Sequence, residues 1–128
     1  MTTQSPRIDG YHAHIYYDPE TKPTAERLAA AAVAGALPVV FGGFSDEPVG
    51  PHPVGNLQFI FKPTAFANVV PWLMMNRDGL SVLVHPLSED SLRDHDTDGL
   101  WLGRPVKLRL HRMRPGYTPE QLPASEKV

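Results

Sequence analysis

The stretch Tyr11-His12-Ala13-His14-Ile15-Tyr16-Tyr17-Asp18 decides the fold, because apolar and polar residues alternate along it. Consecutive side chains of a β-strand point to opposite faces of a sheet. The odd-numbered residues therefore form an apolar face that predicts contact with a core. The opposite face carries the imidazoles of His12 and His14, spaced roughly 6–7 Å apart along a strand. Two side chains at this spacing can reach one metal ion or one small substrate.

Length and composition predict one domain, residues 1–128, with an ordinary hydrophobic content of 41%. The formal net charge of −2 argues against nucleic acid as a partner. The chain has no cysteine, so any metal must be held by histidine, carboxylate or water. A polar N-terminus and the lack of an apolar run near ~20 residues predict a cytoplasmic protein that does not enter a membrane.

Outside this first strand, the periodicity predicts two helices and three further strands. A helix is predicted over residues 24–37, where alanine is frequent and an apolar stripe recurs. Proline-flanked segments at 38–41, 54–62 and 80–87 have the composition of strands. A second helix is predicted after Lys62-Pro63-Thr64, with a kink or a restart at Pro71.

The order strand, helix, strand, strand, helix, strand predicts an α+β fold of the ferredoxin-like split βαβ type (βαββαβ). In this arrangement both helices cover one face of an antiparallel sheet, the first and third strands are central, and the fourth lies beside the first. We expect an added C-terminal edge strand within Trp101–Met113, where apolar residues alternate with basic ones. Residues 1–9 are predicted to be a loose leader, 88–99 a mobile loop and 115–128 a loosely ordered tail.

If all apolar strand faces meet the helices, four polar side chains project together from the open face of the sheet. They are His12, His14, Gln58 and His85, with Tyr16 on the same face and His52 in the loop that precedes the third predicted strand. This convergence of residues distant in sequence predicts a binding site. Imidazole ligands suit iron, zinc, copper or nickel, and the residues alone do not choose among them.

Other polar residues have weaker patterns. His95 lies in an acidic segment that could fold over the site, and Asp18 and Glu47 are candidate carboxylate ligands. The basic group that includes Arg104 and Arg109 has the composition of a solvated strand edge. His111 belongs to the same edge and is expected to have no role.

Four motifs together resemble the DOPA 4,5-dioxygenase family, the small fungal and bacterial group of aromatic ring-opening enzymes. They are His12-Ala-His14-Ile-Tyr-Tyr, Gly50-Pro-His52-Pro-Val-Gly, the segment from Trp72 to His85-Pro86, and Leu92-Arg-Asp-His95 followed by Leu100-Trp-Leu-Gly. The resemblance covers residues 11–110, which is almost the whole chain.

This resemblance implies an Fe(II)-dependent extradiol dioxygenase that opens a catechol such as L-DOPA with O₂ to a seco-DOPA-type semialdehyde. Zinc or another divalent metal is also compatible with the histidines. His14, His52 and His85 are then expected to bind the metal, and His12 to transfer protons, although His12 and His14 could exchange roles. His95 is a second acid–base candidate. Gln58 and Tyr16 are expected beside the site, and Arg104 or Arg109 to attract a substrate carboxylate.

Two further classes of function remain open from the sequence. One is a different enzyme on the same scaffold, such as a zinc hydrolase or an isomerase. The other is a non-catalytic dimer that binds a metal or a small molecule. A homodimer is expected in each case, because Ile60 and Leu83 on the open face would expose apolar surface.

Overall fold

The computed structural model describes residues 7–113 and has the predicted order of elements. It is an α+β fold with a single five-stranded antiparallel sheet. The strands are β1 Tyr11–Tyr17, β2 Val40–Ser45, β3 Gly55–Phe61, β4 Val82–Pro86 and β5 Leu100–Leu102. The α-helices are α1 Lys22–Ala34, α2 Phe66–Asn76 and α3 Ser91–His95, and 3₁₀ turns span Pro63–Ala65 and Leu110–Arg112.

The strand order β2-β3-β1-β4-β5 confirms that the first and third strands are central and that the fourth lies beside the first. The register brings the polar side chains of β1 next to those of its neighbours. His12 is paired with His85 of β4, and His14 with Gln58 of β3. Residues from three distant parts of the sequence therefore share one side of the sheet.

The opposite side of the sheet forms the core with α1 and α2. Ala13 and Ile15 of β1 are completely buried there, as are Phe59 of β3 and Leu73 of α2. This confirms the apolar face predicted from the alternation. Alanines at buried positions of α1 leave room for the helix to approach the sheet closely.

Both helices differ in detail from the prediction. α1 ends at Ala34 instead of Leu37, because Ala36 adopts a left-handed conformation with φ 52°. Val33, expected in the apolar stripe, is 66% exposed. α2 continues through Pro71 without the expected restart.

β2 is longer than the predicted strand 38–41 and contains a β-bulge. Phe41 is paired with Phe59, the register then shifts, and Gly43 is paired with Gln58. Gly43 has φ +99°, a left-handed conformation that favours glycine. The bulge lets β2 continue through Gly42 and Gly43 as far as Ser45.

Residues 88–99 are not the unstructured loop that the sequence predicted, since they contain α3. Asp90 caps this helix by accepting hydrogen bonds from the main-chain N–H groups of Leu92 and Arg93. Asp94 is completely buried and accepts hydrogen bonds from the main chain and the hydroxyl of Ser88. Two of the acidic residues that suggested a solvated loop therefore have structural roles. Asp90 caps the helix, and Asp94 is a buried hydrogen-bond acceptor.

The added edge strand exists, but it is β5, Leu100–Leu102, and not the longer segment that was expected. Gly103 with φ +76° and Pro105 follow it, and residues 103–109 have no regular structure. The alternation of apolar and basic residues after Pro105 therefore does not correspond to a strand. Proline cannot donate to the β-ladder, which accounts for the early end.

Some expectations stay predictions. The leader up to residue 6 and the tail 115–128 lie outside the described residues. Within 7–113, no helix is long and apolar enough to span a membrane. Leu83 is completely buried and Ile60 partly buried within one chain, so the apolar surface from which a homodimer was expected is largely covered. The dimer itself is not tested by this.

Replacing Phe59 with alanine should destabilise the protein by about 3–5 kcal/mol, because a large buried aromatic side chain would leave a cavity. Met75, which is 85% exposed, provides the control, and its alanine variant should change stability by less than about 0.5 kcal/mol. Urea unfolding monitored by circular dichroism measures both. Equal stabilities of the two variants would contradict the assigned core face.

Candidate metal centre

Five of the six histidines of the chain lie together on the side of the sheet opposite α1 and α2. They come from four segments, and each is buried. β1 provides His12 and His14, β4 provides His85, the loop between β2 and β3 provides His52, and α3 provides His95. The predicted convergence of His12, His14, His52 and His85 is present in the structure, and His95 joins it.

The five imidazoles line a cavity of about 290 Å³ together with residues of β2, β3 and α3. Its described lining includes Asn56 and Gln58 but no lysine, arginine, aspartate or glutamate. A larger cavity of about 690 Å³ lies elsewhere, between Tyr11, Phe66 and ion-paired arginines. We place the candidate site at the smaller cavity because the groups that can perform chemistry are there.

Two ring nitrogens of the cluster, His14 Nε2 and His85 Nε2, lie 3.0 Å apart. His14 Nδ1 lies 2.9 Å from Asn56 Oδ1, and His85 Nδ1 lies 2.9 Å from the carbonyl oxygen of Pro86. Both oxygens accept hydrogen bonds, so in each neutral ring the proton is on Nδ1. Two Nε2 lone pairs then face each other, and a cation between them would remove the repulsion.

The separation also agrees with metal coordination. Metal–imidazole bonds are about 2.0–2.1 Å long, so two such bonds at a right angle put their nitrogens about 3.0 Å apart. The donor set and the distance therefore both fit a shared metal ion. Metal-binding histidines usually donate the N–H of their second ring nitrogen to an oxygen such as a carbonyl, as His14 and His85 do here.

The remaining three histidines differ in what their Nδ1 atoms contact. His95 Nδ1 lies 2.7 Å from the carbonyl oxygen of Ser91, so its Nε2 also has a free lone pair. His52 Nδ1 lies 2.7 Å from the hydroxyl oxygen of Tyr16. His12 Nδ1 lies 2.9 Å from Gln58 Nε2, an amide nitrogen that can only donate.

Two groups of three histidines have nitrogen atoms close enough for one ion, with all distances inside a group below 4.8 Å. One group is His12, His14 and His85, and the other is His14, His52 and His95. His14 is common to both. It lies at the centre of the cluster and is the strongest candidate for a metal ligand.

Burial makes this cluster neutral near pH 7. Desolvation, together with a smaller effect of neighbouring histidines, lowers the pKa of His12 to about 4 and that of His52 to about 3. The pKa values of His14 and His85 are also well below the ordinary value, for the same reasons. Neutral imidazoles can bind a metal without first losing a proton.

Other predicted site residues have different positions. Gln58 and Tyr16 each bond a histidine of the cluster. Arg104 is exposed, Arg109 is partly buried and bonds Pro51 through its main chain, and neither lines the cavity. The carboxylate candidates Asp18 and Glu47, like His111, are exposed and outside the lining.

Two neighbours of the cluster were missed from the sequence. Asn56 bonds His14, and the ring of Trp101 stacks on Tyr16 with centroids 5.8 Å apart. The alternation places Asn56 on the same face of β3 as Gln58, but Asn56 was not among the predicted site residues. Trp101 lies in the Leu100-Trp-Leu-Gly motif of the family resemblance, but no site role was expected for it; it reaches Tyr16 through the pairing of β5 with β4.

Residues 11–112 match the Dopa 4,5-dioxygenase family. A DOPA 4,5-dioxygenase from Amanita muscaria is 34% identical over 120 residues, covering 86% of this chain and 52% of that protein. An uncharacterized 21.2 kDa protein from Botryotinia fuckeliana is 40% identical over 75 residues, covering 52% of this chain and 41% of that protein. The chain thus spans about half the length, or less, of these relatives.

A crystal structure from Nostoc punctiforme, named as a candidate dioxygenase, has the same fold. It is 43% identical with a TM-score of 0.78, and the match covers 82% of this chain and 90% of that one. The match to the family model extends over nearly all of the described residues and includes all five clustered histidines. The chain belongs to the Dopa 4,5-dioxygenase family.

Proposed function

We propose that this protein is a metal-dependent extradiol dioxygenase that opens the ring of a catechol. The observation that carries the proposal is the pair of Nε2 atoms of His14 and His85, 3.0 Å apart with both Nδ1 atoms bonded to carbonyl oxygens. The family match and the name of the Amanita muscaria relative support an oxygenase.

Fe(II) is the metal we propose, held by His14, His85 and either His52 or His95. When bound, Fe(II) supplies coordination of both catechol oxygens and activation of O₂. The hydrogen bonds favour His95 as the third ligand, since its Nδ1 also donates to a carbonyl oxygen. This differs from the sequence-based choice of His52, because the Tyr16 hydroxyl can donate or accept and so does not fix the proton of His52 on Nδ1. His85 and His95 belong to different groups, so one ion would bind both only after a shift of a side chain.

The other two histidines are then available for proton transfer. His12 and His52 line the same cavity and are neutral near pH 7, because burial lowers the pKa of each. His12, whose Nδ1 accepts from Gln58, carries an Nε2–H group that can donate to the bound substrate. The Nε2 atom of His52 can accept a hydroxyl proton from a bound catechol when its Nδ1–H donates to Tyr16. The hydroxyl of Tyr16 fixes the orientation of the His52 ring for this role.

The cavity also suggests what part of the substrate is recognised. Its volume is near the lower end of the ~300–1,000 Å³ range of small-molecule pockets, which suits a single ring. Its described lining has no charged side chain that could pair with the ammonium or carboxylate of L-DOPA. We therefore propose recognition of the catechol group itself.

Alanine variants of His14 and His85 should lose most of the bound iron and nearly all ring-opening activity, because each removes one of the two opposed Nε2 atoms. His95→Ala should also lose iron. His52→Ala should retain iron and lose turnover by about 10²–10⁴-fold, the usual contribution of a positioned proton-transfer group. Iron content after anaerobic loading, oxygen uptake and product absorbance measure these effects.

His111→Ala is the matched control, since this histidine is exposed and lies outside the cavity. It should have the iron content and the rate of the parent. Full iron binding and turnover in both the His14 and His85 variants would refute the shared site. Loss of iron in His52→Ala but not in His95→Ala would restore the ligand set expected from the sequence.

Acid should destabilise the metal-free protein well above the range in which carboxylates titrate. The folded-state pKa values of His12 and His52, about 4 and about 3, lie below the ordinary ~6.5 of an unfolded chain. Between these values the unfolded chain binds protons that the folded chain does not, so the free energy of unfolding falls as the pH falls. Each such histidine contributes a slope of about 1.4 kcal/mol per pH unit.

Urea unfolding in the presence of a chelator, at pH 7, 6 and 5, measures this slope. A His12→Gln variant should have a smaller slope than the parent, because one of the buried titrating groups is gone. The His111→Ala control should retain the slope of the parent. A free energy of unfolding that is constant from pH 7 to pH 5 would show that the cluster is not buried as described.

The absence of charge in the described lining predicts that catechols without an amino-acid side chain are used at least as well as L-DOPA. Their kcat/KM values should be equal to or higher than that of L-DOPA under the same conditions. Arg104→Ala should leave the KM for L-DOPA unchanged, because Arg104 is exposed and outside the cavity. A strong preference for L-DOPA that Arg104→Ala abolishes would contradict this prediction.

A further inference from the structure

We propose that Gln58, positioned by the glycine bulge of β2, keeps the ring proton of His12 on Nε2 and thereby keeps this histidine out of the metal-ligand set. The inference rests on the proposed metal site and deepens it. It concerns the difference between the two histidines of β1, which the sequence assigned to separate but exchangeable roles.

The two β1 histidines are bonded by neighbouring amide side chains of β3 in opposite senses. Asn56 offers its oxygen to His14 Nδ1, whereas Gln58 offers its NH₂ group to His12 Nδ1. Each amide reaches diagonally past its directly paired residue, since Gln58 is opposite His14 in the register and Asn56 is opposite Tyr16. One strand therefore fixes both imidazoles, but with the proton on different nitrogens.

The position of the ring proton decides whether His12 can bind a metal. A neutral imidazole carries one N–H, and a ring whose Nδ1 accepts a hydrogen bond must carry it on Nε2. An Nε2–H group cannot bind a metal, yet it can donate to an oxygen. The nitrogens of His12 come within 4.8 Å of those of His14 and His85, so distance alone would admit His12 as a ligand. The hydrogen bond from Gln58 is what excludes it.

The orientation of Gln58 depends on the bulge at Gly42 and Gly43. Both glycines lie opposite Gln58 in the ladder, where a regular strand would have one residue. A Cβ atom at position 42 would collide with Gln58 Oε1 and come within 2.8 Å of Cδ and 2.9 Å of Cγ. Bulges that redirect a side chain are common beside active sites. Because Gly42 has no side chain, the amide of Gln58 can occupy the space beside it.

Nitrogen NMR of the protein with ¹⁵N-labelled histidine tests the assignment directly. In the metal-free protein at pH 7, His12 should carry its proton on Nε2 and His14 on Nδ1. After loading with Zn²⁺, which is diamagnetic, the Nε2 signals of His14 and His85 should change while His12 keeps its Nε2 proton. A His12 proton on Nδ1, or its loss from Nε2 on loading, would overturn the proposal.

Gln58→Glu replaces the donor by a carboxylate that accepts from Nδ1–H, so the proton of His12 should move to Nδ1 and free Nε2. His12 should then become an additional ligand, seen as a changed Co²⁺ absorption spectrum and tighter Zn²⁺ binding. Asn68→Asp, the same change on an exposed position of α2, controls for added charge and should alter neither. An unchanged His12 tautomer in Gln58→Glu would argue that Gln58 has only a structural role.

Gly42→Ala tests the part of the bulge. This variant should lower the population of the Nε2–H form of His12 and reduce kcat for a catechol by about 10–100-fold, while Zn²⁺ affinity is retained. In a Gln58→Ala background the same substitution should have little further effect on stability, because the collision partner is absent. A Gly42→Ala variant with the His12 tautomer of the parent would contradict the proposed device.

The outcomes separate this inference from the proposed function. If the parent binds no iron, zinc or cobalt, the metal site fails, but the tautomers of the metal-free protein still decide the role of Gln58. If metal binds and ring opening is absent, the dioxygenase proposal fails while the ligand set stands. If His12 loses its Nε2 proton to the metal, the inference fails and the metal site remains.

Discussion

Two imidazole nitrogens with lone pairs directed at each other across 3.0 Å are the constraint on which the site depends. Neutral His14 and His85 repel at this distance, and a proton between them is disfavoured because burial holds the pKa of both well below the ordinary value. A divalent cation satisfies both lone pairs at once. The hydrogen bonds to Asn56 and Pro86 hold the ring protons on Nδ1, so a change of tautomer does not remove the repulsion between the Nε2 atoms.

The same sheet that holds this pair also supplies the stability needed to maintain it. Period-two alternation puts Ala13 and Ile15 under the helices and the histidines of β1 on the other side. Burying apolar side chains on one face offsets the cost of burying neutral polar groups on the other. Apart from the opposed Nε2 atoms of His14 and His85, the buried side-chain N and O atoms of the described residues have hydrogen-bond partners.

Alternation and spacing predicted which side chains share a face of the regular strands. They did not predict features that depend on a single tertiary contact. The faces of β1, β3 and β4 followed from period two, and they brought His12, His14 and His85 together as expected. α3 was missed because five residues give no periodicity, and its formation depends on the cap at Asp90. The bulge at Gly42–Gly43 depends on tertiary contact with Gln58, which no local pattern contains. The histidine tautomers depend on hydrogen-bond partners from other strands, so the sequence did not predict them either.

The chemistry of these partners has a consequence for the charge of the site. Amide and main-chain oxygens fix the histidine tautomers without adding charge, whereas carboxylates would add negative charge beside the metal. The described lining of the cavity has no acidic side chain either. A divalent metal held only by neutral imidazoles would retain its full charge in a buried site of low dielectric constant. Such a site favours a substrate that becomes anionic on binding, as a catechol does when its hydroxyl protons pass to neighbouring imidazoles.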